Sequence, residues 1–238
     1  MEENEMNVNP EVNEDVIAEA TDIKPKKSKP QKSAGREIFE WAYSIVIAVL
    51  IAFLIKGFLF DIVKVDGESM ETTLQNNDRL IVTKLGYEPS RGDIVILDAN
   101  YTNRENYFDA IAQSQGVDEM SGFAKFRESM DLPENCKKIY YVKRVIATEG
   151  ETVEIYDGKV FVDGKELDEP YANGLTFPTD SKIQYPFTVS EDCVFVMGDN
   201  RGNSTDSRSS RLGEVQEDAL LGKAQLRVFP FNNMGRTK

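Results

Sequence analysis

The chain has 238 residues, a formal net charge of -13, two cysteines and no histidine. Without imidazole a Ser-His-Asp or Cys-His arrangement is excluded and zinc hydrolysis loses its usual ligand; two cysteines are too few for a thiolate metal site. Nucleic acid is bound by basic faces, so the acidic balance argues against it, and no metal or other cofactor is expected.

Residues 1–22 are acidic and poor in aromatics, the composition of a disordered tail. "KPKKSKPQKSAGR", residues 24–36, then reverses the charge, and "IFEWAYSIVIAVLIAFLIKGFLF", residues 38–60, follows it. A core helix would keep a polar face, and this run has none. A cleaved signal peptide would have a short leading region and a small-residue cleavage site, where this run is followed by "FLFDIVKV". The run reads as an uncleaved signal anchor, with Trp41 and Tyr43 suited to the inner interface. The basic block on its N-terminal side predicts a cytoplasmic tail (1–37), an anchor (38–60) and an extracytoplasmic domain (61–238).

That domain reads as mainly β. "RLIVTKL" (79–85) and "GDIVILD" (92–98) are short apolar runs between turn residues. A polar insert at about 100–136 follows, with "GFAKFRESM" as a short helix. "KKIYYVKRVIA" (137–147) is a longer strand. "TVEIYDGKVFVDG" (152–164) alternates on both sides of Asp157-Gly158, a strong hairpin signal. "CVFVMGDN" (193–200) and "AQLRVF" (224–229) complete the set.

Three clusters carry possible chemistry, each with an ordinary alternative. Ser69 in "VDGESMETTL" is either a turn residue beside a glycine or a nucleophile. Without histidine its base has to be a lysine, aspartate or glutamate. Lys143 lies in an apolar strand, where alternation sets Tyr141 and Val145 on its own face. It is either a charge guarding a sheet edge or a desolvated lysine, and a shift to near 8 takes about 3 kcal/mol of differential destabilisation. "GDNRGNSTDSR" (198–208) is either a solvated loop of Asx-turns or a set of hydroxyls and ion pairs that orient a catalytic group.

"GESMETTL", "RGDIVIL", "YYVKRVIATEGE" and "GDNRGNSTDSR", in this order behind the anchor and running on to "FPFNNMG", resemble the bacterial type I signal peptidases, membrane-anchored serine proteases with a Ser/Lys dyad. The resemblance implies a single transmembrane helix followed by a largely antiparallel β-sheet catalytic domain. It implies that Ser69 is the nucleophile, Lys143 the general base and Ser204 the residue that hydrogen-bonds Lys143. Asp199 would pair with Arg144, and Asp206 with Arg208. Val65, Met70, Leu74, Tyr141 and Val142 fall where the family lines its substrate groove. Gly67 stands where some members place an oxyanion serine, so the Ser69 N–H would carry more of that role. The family's usual proline is Thr72 here. The implied substrates are signal peptides of exported preproteins, cleaved after small residues in A-x-A-like patterns. The implied partners are the lipid bilayer and, indirectly, the protein-export machinery.

Two rivals are a self-cleaving Ser/Lys repressor-type peptidase, opposed by the anchor and the acidity, and an anchored β-domain that only binds, which leaves the buried-looking lysine unexplained. Cys136 and Cys193 both lie outside the membrane in this reading, where a disulfide is permitted. Catalysis is expected not to require one.

Overall fold

A computed structural model describes residues 34–237. Nearly all of the expected tail and its basic block lie outside the described residues. The chain divides into two compact units, Met1–Ala48 and Val49–Lys238. In the first, the described residues belong to α1 (Ala34–Leu54), apolar all round after Ser44. Among the described residues no helix is long and apolar enough to cross a membrane.

In the second unit a π-helical turn, Ile55–Leu59, leads into β1 (Phe60–Lys64), a strand unforeseen in the sequence because its first residue reads as the end of the apolar run. Then come β2 (Arg79–Thr83), β3 (Ile94–Asp98), β4 (Tyr140–Thr148), β5 (Thr152–Tyr156) and β6 (Lys159–Val162). The short strands β7 (Lys165–Glu166) and β8 (Phe187–Thr188) precede β9 (Cys193–Met197), β10 (Val215–Gln216), β11 (Leu220–Phe229) and β12 (Gly235–Arg236). One sheet runs β1-β2-β11-β3-β4-β9-β10, with β12 beside β11; a second runs β7-β6-β5-β8. All these strand pairs are antiparallel.

The expected runs become strands for simple reasons. β3 and β9 are buried at every position, as continuous apolar runs have to be when both faces of a sheet are covered. On one side Val95, Leu97, Val145, Val194 and Val196 share a core. On the other, Ile146, Phe195 and Met197 pack with Val153 and Val160 of the second sheet. The hairpin of β5 and β6 turns at Asp157 (φ 51°) and Gly158 (φ 74°), the left-handed pair that a two-residue turn of this kind requires.

The polar insert holds α2 (Tyr101–Gln115), which the sequence reading left irregular, and α3 (Gly122–Glu128), inside the expected "GFAKFRESM". It is closed at its base. Ala99 N–H donates to Ile139 O at 2.8 Å, and Asp98 Oδ1 accepts from the Asn100 and Ile139 amides at 3.1 and 3.3 Å.

Candidate active site

Ser69 lies in the turn between β1 and β2. The ends of this turn are tied together: Val65 N–H donates to Asp78 O at 2.8 Å and Asn77 N–H to Val65 O at 2.9 Å. Met70 and Leu74, each 1% exposed, sink into a core with Val65, Leu80, Val82, Ile94 and Ile96. A fully buried side chain of this size contributes roughly 1.5–3 kcal/mol. These anchors fix the turn, and Ser69 itself is only half-buried.

Lys143 stands in β4, whose neighbour β9 leaves the ladder after the Arg144–Met197 pair. Its side chain is buried, 3% exposed, with Nζ 5.2 Å from the centre of the Tyr141 ring. Nζ donates to Ser69 Oγ at 2.7 Å and to Val142 O at 3.1 Å. Burial pushes the Lys143 ammonium down to about 8; the Asp206 and Asp199 carboxylates oppose the shift and the Arg208 guanidinium adds to it.

The segment after β9 meets the Ser69 turn at Gly198. A Cβ there would lie 2.3 Å from Ser204 Oγ and 2.4 Å from Ser69 O, so only glycine allows this approach. Asn200 N–H donates to Ser69 O at 3.0 Å, and its Nδ2 to Glu68 O at 3.1 Å. Arg144 Nε and Nη2 bind Asp199 at 2.8 and 2.7 Å, both residues fully buried. Arg208 holds Asp206 in the same two-pronged way, at 2.9 and 2.8 Å. Burial opposes the Asp206 charge, but the hydrogen bonds from Arg208 and the Gly198 amide outweigh it and keep the carboxyl below its usual range.

In two respects the geometry differs from the sequence-based expectations. No hydrogen bond joins Ser204 to Lys143: Lys143 is directed at Ser69 and Val142 O instead. The Ser204 Oγ, pressed against Gly198, is buried with no hydrogen-bond partner among the described residues, although it is close enough to help hold the Asp206 carboxyl down. The proposed groove residues also divide. Gly67 and Tyr141 line an open cleft of about 450 Å³ together with Ser69 and Lys143. Val65, Met70 and Leu74 are instead core residues, with Val142 packed against them.

Sequence reasoning missed other residues at the site. Asn76, Asn203 and Thr205 line the cleft, with Asp66 and Glu68 at its acidic side. Thr73 reaches Asp199. Arg201, 3% exposed, pairs with Glu169 through contacts of 2.6 and 2.9 Å. Arg201, Asn203 and Thr205 carried a signal in their place in the dense polar segment, and Glu68 and Thr73 in theirs beside Ser69; Glu169, thirty-odd residues before Arg201, carried none.

A serine hydroxyl bonded to a buried lysine that is neutral near pH 8 has what nucleophilic catalysis needs: an acceptor for the hydroxyl proton and no charge on that acceptor. The Ser69 N–H has no acceptor among the described residues, which leaves it available to an oxyanion. An antiparallel β domain holding such a pair has the makings of a serine hydrolase. The chain matches the family described as "Signal peptidase, peptidase S26" over residues 38–229. It is 35% identical to signal peptidase I T of Bacillus subtilis (strain 168) over 228 residues, covering 90% of this chain and 98% of that protein. It is 34% identical to a signal peptidase I of Bacillus amyloliquefaciens, covering 90% and 97%. A solved signal peptidase I from Enterococcus faecalis V583 aligns at 24% identity and a TM-score of 0.37, covering 58% of this chain and 98% of that one. The chain belongs to the signal peptidase family, peptidase S26.

Proposed function

We propose that this protein is a membrane-anchored signal peptidase I in which Ser69 is the nucleophile and Lys143 the general base. Family membership supplies the class, a serine endopeptidase that removes signal peptides. The observation that carries the assignment of residues is the 2.7 Å contact between Ser69 Oγ and the buried Lys143 Nζ.

Neutral Lys143 takes the proton of Ser69 Oγ as the oxygen attacks the carbonyl carbon of the scissile peptide bond. The ammonium returns a proton to the departing amine, which leaves an ester between Ser69 and the signal peptide. Lys143 then deprotonates a water, which hydrolyses the ester and restores the serine. The free Ser69 N–H supports the developing oxyanion. Asp199 with Arg144, and Asp206 with Arg208, hold the strand and loop on either side of the pair. Cleavage after small residues is part of this reading, as is an indirect relation to the export machinery.

The anchor rests on α1 and its continuation. Trp41, Ile45, Val49 and Phe53 are all exposed, at 74, 57, 47 and 70%, and apart from Lys56 the segment Ile55–Leu59 continues without a charge. So large an unpartnered apolar surface is what a lipid environment accepts. With the basic block before it, the tail is cytoplasmic and the catalytic domain lies on the outer face of the cell membrane. Carbonate extraction and protease added outside spheroplasts test this; a tail tag clipped before the domain is digested would reverse the orientation.

The test of function is cleavage of an exported preprotein by the purified chain. Ser69→Ala and Lys143→Ala should each abolish processing while the domain stays folded. Substantial cleavage by Lys143→Ala would remove the lysine from its role.

A further inference from the structure

Resting on the Ser69–Lys143 reading, we propose that segment 169–176, through Tyr171 and Glu169, is a strap that positions the dyad, and that Tyr171 is its positioning residue.

The segment has no regular secondary structure, and it touches both halves of the site. At one end Tyr171 packs against β4: the Arg144 guanidinium carbon lies 3.9 Å from the centre of the Tyr171 ring. Arg144 follows Lys143 in the chain and is already held edge-on by Asp199. The guanidinium is therefore fixed in its plane by a carboxylate and across its face by an aromatic ring. At the other end the strap binds the segment after β9. Asn173 N–H donates to Asp199 O at 2.7 Å, and Arg201 N–H to Asn173 O at 3.0 Å. Arg201 Nη1 donates to Thr176 Oγ1 at 2.5 Å, and Nε to Gly198 O at 3.1 Å. Glu169 joins the two ends: it takes both prongs of Arg201 and accepts the Tyr171 hydroxyl at 3.1 Å. Burial and the Glu169 carboxylate both raise the Tyr171 phenol, so it stays protonated and remains a donor.

What the strap grips bears on the reacting atoms. The segment containing Asn200 holds Ser69 by its carbonyl, and the strand carrying Arg144 holds Lys143. In this structure the strap bridges these two carriers through a half-buried aromatic ring and the ion pair that half-buried Glu169 makes with the buried Arg201. A stretched or misaligned Ser69–Lys143 contact weakens proton transfer without touching the surfaces that bind substrate, so loosening the strap acts on kcat before KM. A space left beside Arg144 also lets water nearer to Lys143 and raises its pKa.

The experiment uses the full chain with a preprotein substrate, compares Tyr171→Leu with Tyr171→Phe and Glu169→Gln, and runs Lys143→Ala alongside. Circular dichroism at assay temperature establishes folding. Tyr171→Leu should lower kcat about tenfold with KM within about twofold, and move the midpoint of the rising limb of the pH profile upward by about half a unit. Tyr171→Phe, which keeps the ring over Arg144, should recover most of that loss and the original midpoint. If Tyr171→Leu does not fold, Glu169→Gln carries the test, with a fall in kcat at unchanged KM. A merely structural role predicts a lower melting temperature with wild-type kcat and midpoint per folded molecule, and that result overturns the proposal. An inactive Lys143→Ala beside unaffected strap variants overturns the strap alone. An active Lys143→Ala overturns the dyad reading and the strap with it.

Discussion

Thr73 Oγ1 donates a 2.5 Å hydrogen bond to Asp199 Oδ2, the same carboxylate oxygen that Arg144 Nη2 holds at 2.7 Å. The turn that carries the serine and the strand that carries the lysine thus share one buried charge. Thr73→Val keeps the shape and removes the donor. A hydrogen bond to a buried charge contributes about 1.5–3 kcal/mol, so the melting temperature should fall by several degrees. Preprotein cleavage should fall with it at temperatures where the variant is still folded. An unchanged melting curve would mean that Arg144 alone satisfies Asp199.

The buried lysine makes activity and stability rise together with pH. Only neutral Lys143 can accept a proton, so kcat/KM should rise with pH through a midpoint near the value of about 8. A profile flat from about pH 6 to 9 would contradict this. Because the folded pKa lies below the ordinary 10.5, the unfolded chain holds this proton more tightly between about 8 and 10.5. Stability from this group therefore rises with pH across that window and is lowest below it, by about 3 kcal/mol. Lys143→Met, similar in volume and uncharged, should be inactive and more stable than wild type at pH 7. Thermal unfolding at pH 7 and pH 10 measures both trends.

The charges around Lys143 give a prediction with two signs. Asp206 favours the protonated ammonium and Arg208 disfavours it. Asp206→Asn should move the rising limb of the pH profile to lower pH, and Arg208→Gln should move it to higher pH. Each change also strands a buried charge, which costs about 3–5 kcal/mol, so both profiles belong at a temperature where the variants remain folded. Shifts in the same direction would show that structural relaxation outweighs the direct charge effect.

Both cysteines are free and buried. Cys136 Sγ faces the Asn103 carbonyl at 3.6 Å, and Cys193 opens β9. The double variant Cys136→Ser, Cys193→Ser should keep most of its cleavage activity, and thiol titration of the unfolded wild-type chain should find both groups. Near-complete loss of activity would point to a staple between them.

Where residues announce their environment, the sequence was readable. Continuous runs such as "IVILD" and "CVFVM" can only be strands covered on both faces, and Asp157-Gly158 fixes its hairpin. α2 escaped notice because its buried stripe is Arg104, Phe108 and Ala112, an arginine and a small residue beside a single aromatic. Arg104 is buried because it meets Asp98 across the base of the insert, at 2.6 Å, a contact that no local pattern encodes. The apolar residues around Ser69 were ambiguous in another way. Met70 and Leu74 look the same in sequence whether they line a groove or anchor a turn, and here they anchor. The pairing of Tyr171 with Arg144 spans more than two dozen residues and has no periodicity to betray it.

The closure of the insert has an evolutionary and practical side. Asp98 and Tyr140 are already partners in the ladder of β3 and β4, and Ala99 and Ile139 sit hydrogen-bonded just beyond them. Two antiparallel strands that meet in this way need only a tight turn to connect them. Everything in between is an excursion hung from one doorway, so residues can be gained or lost there while the ladder below keeps its register. That makes this loop the natural place for lineages to diverge in length. It is equally the place where an engineer can graft a tag, a sensor or a foreign domain and leave the lysine-bearing strand where it is.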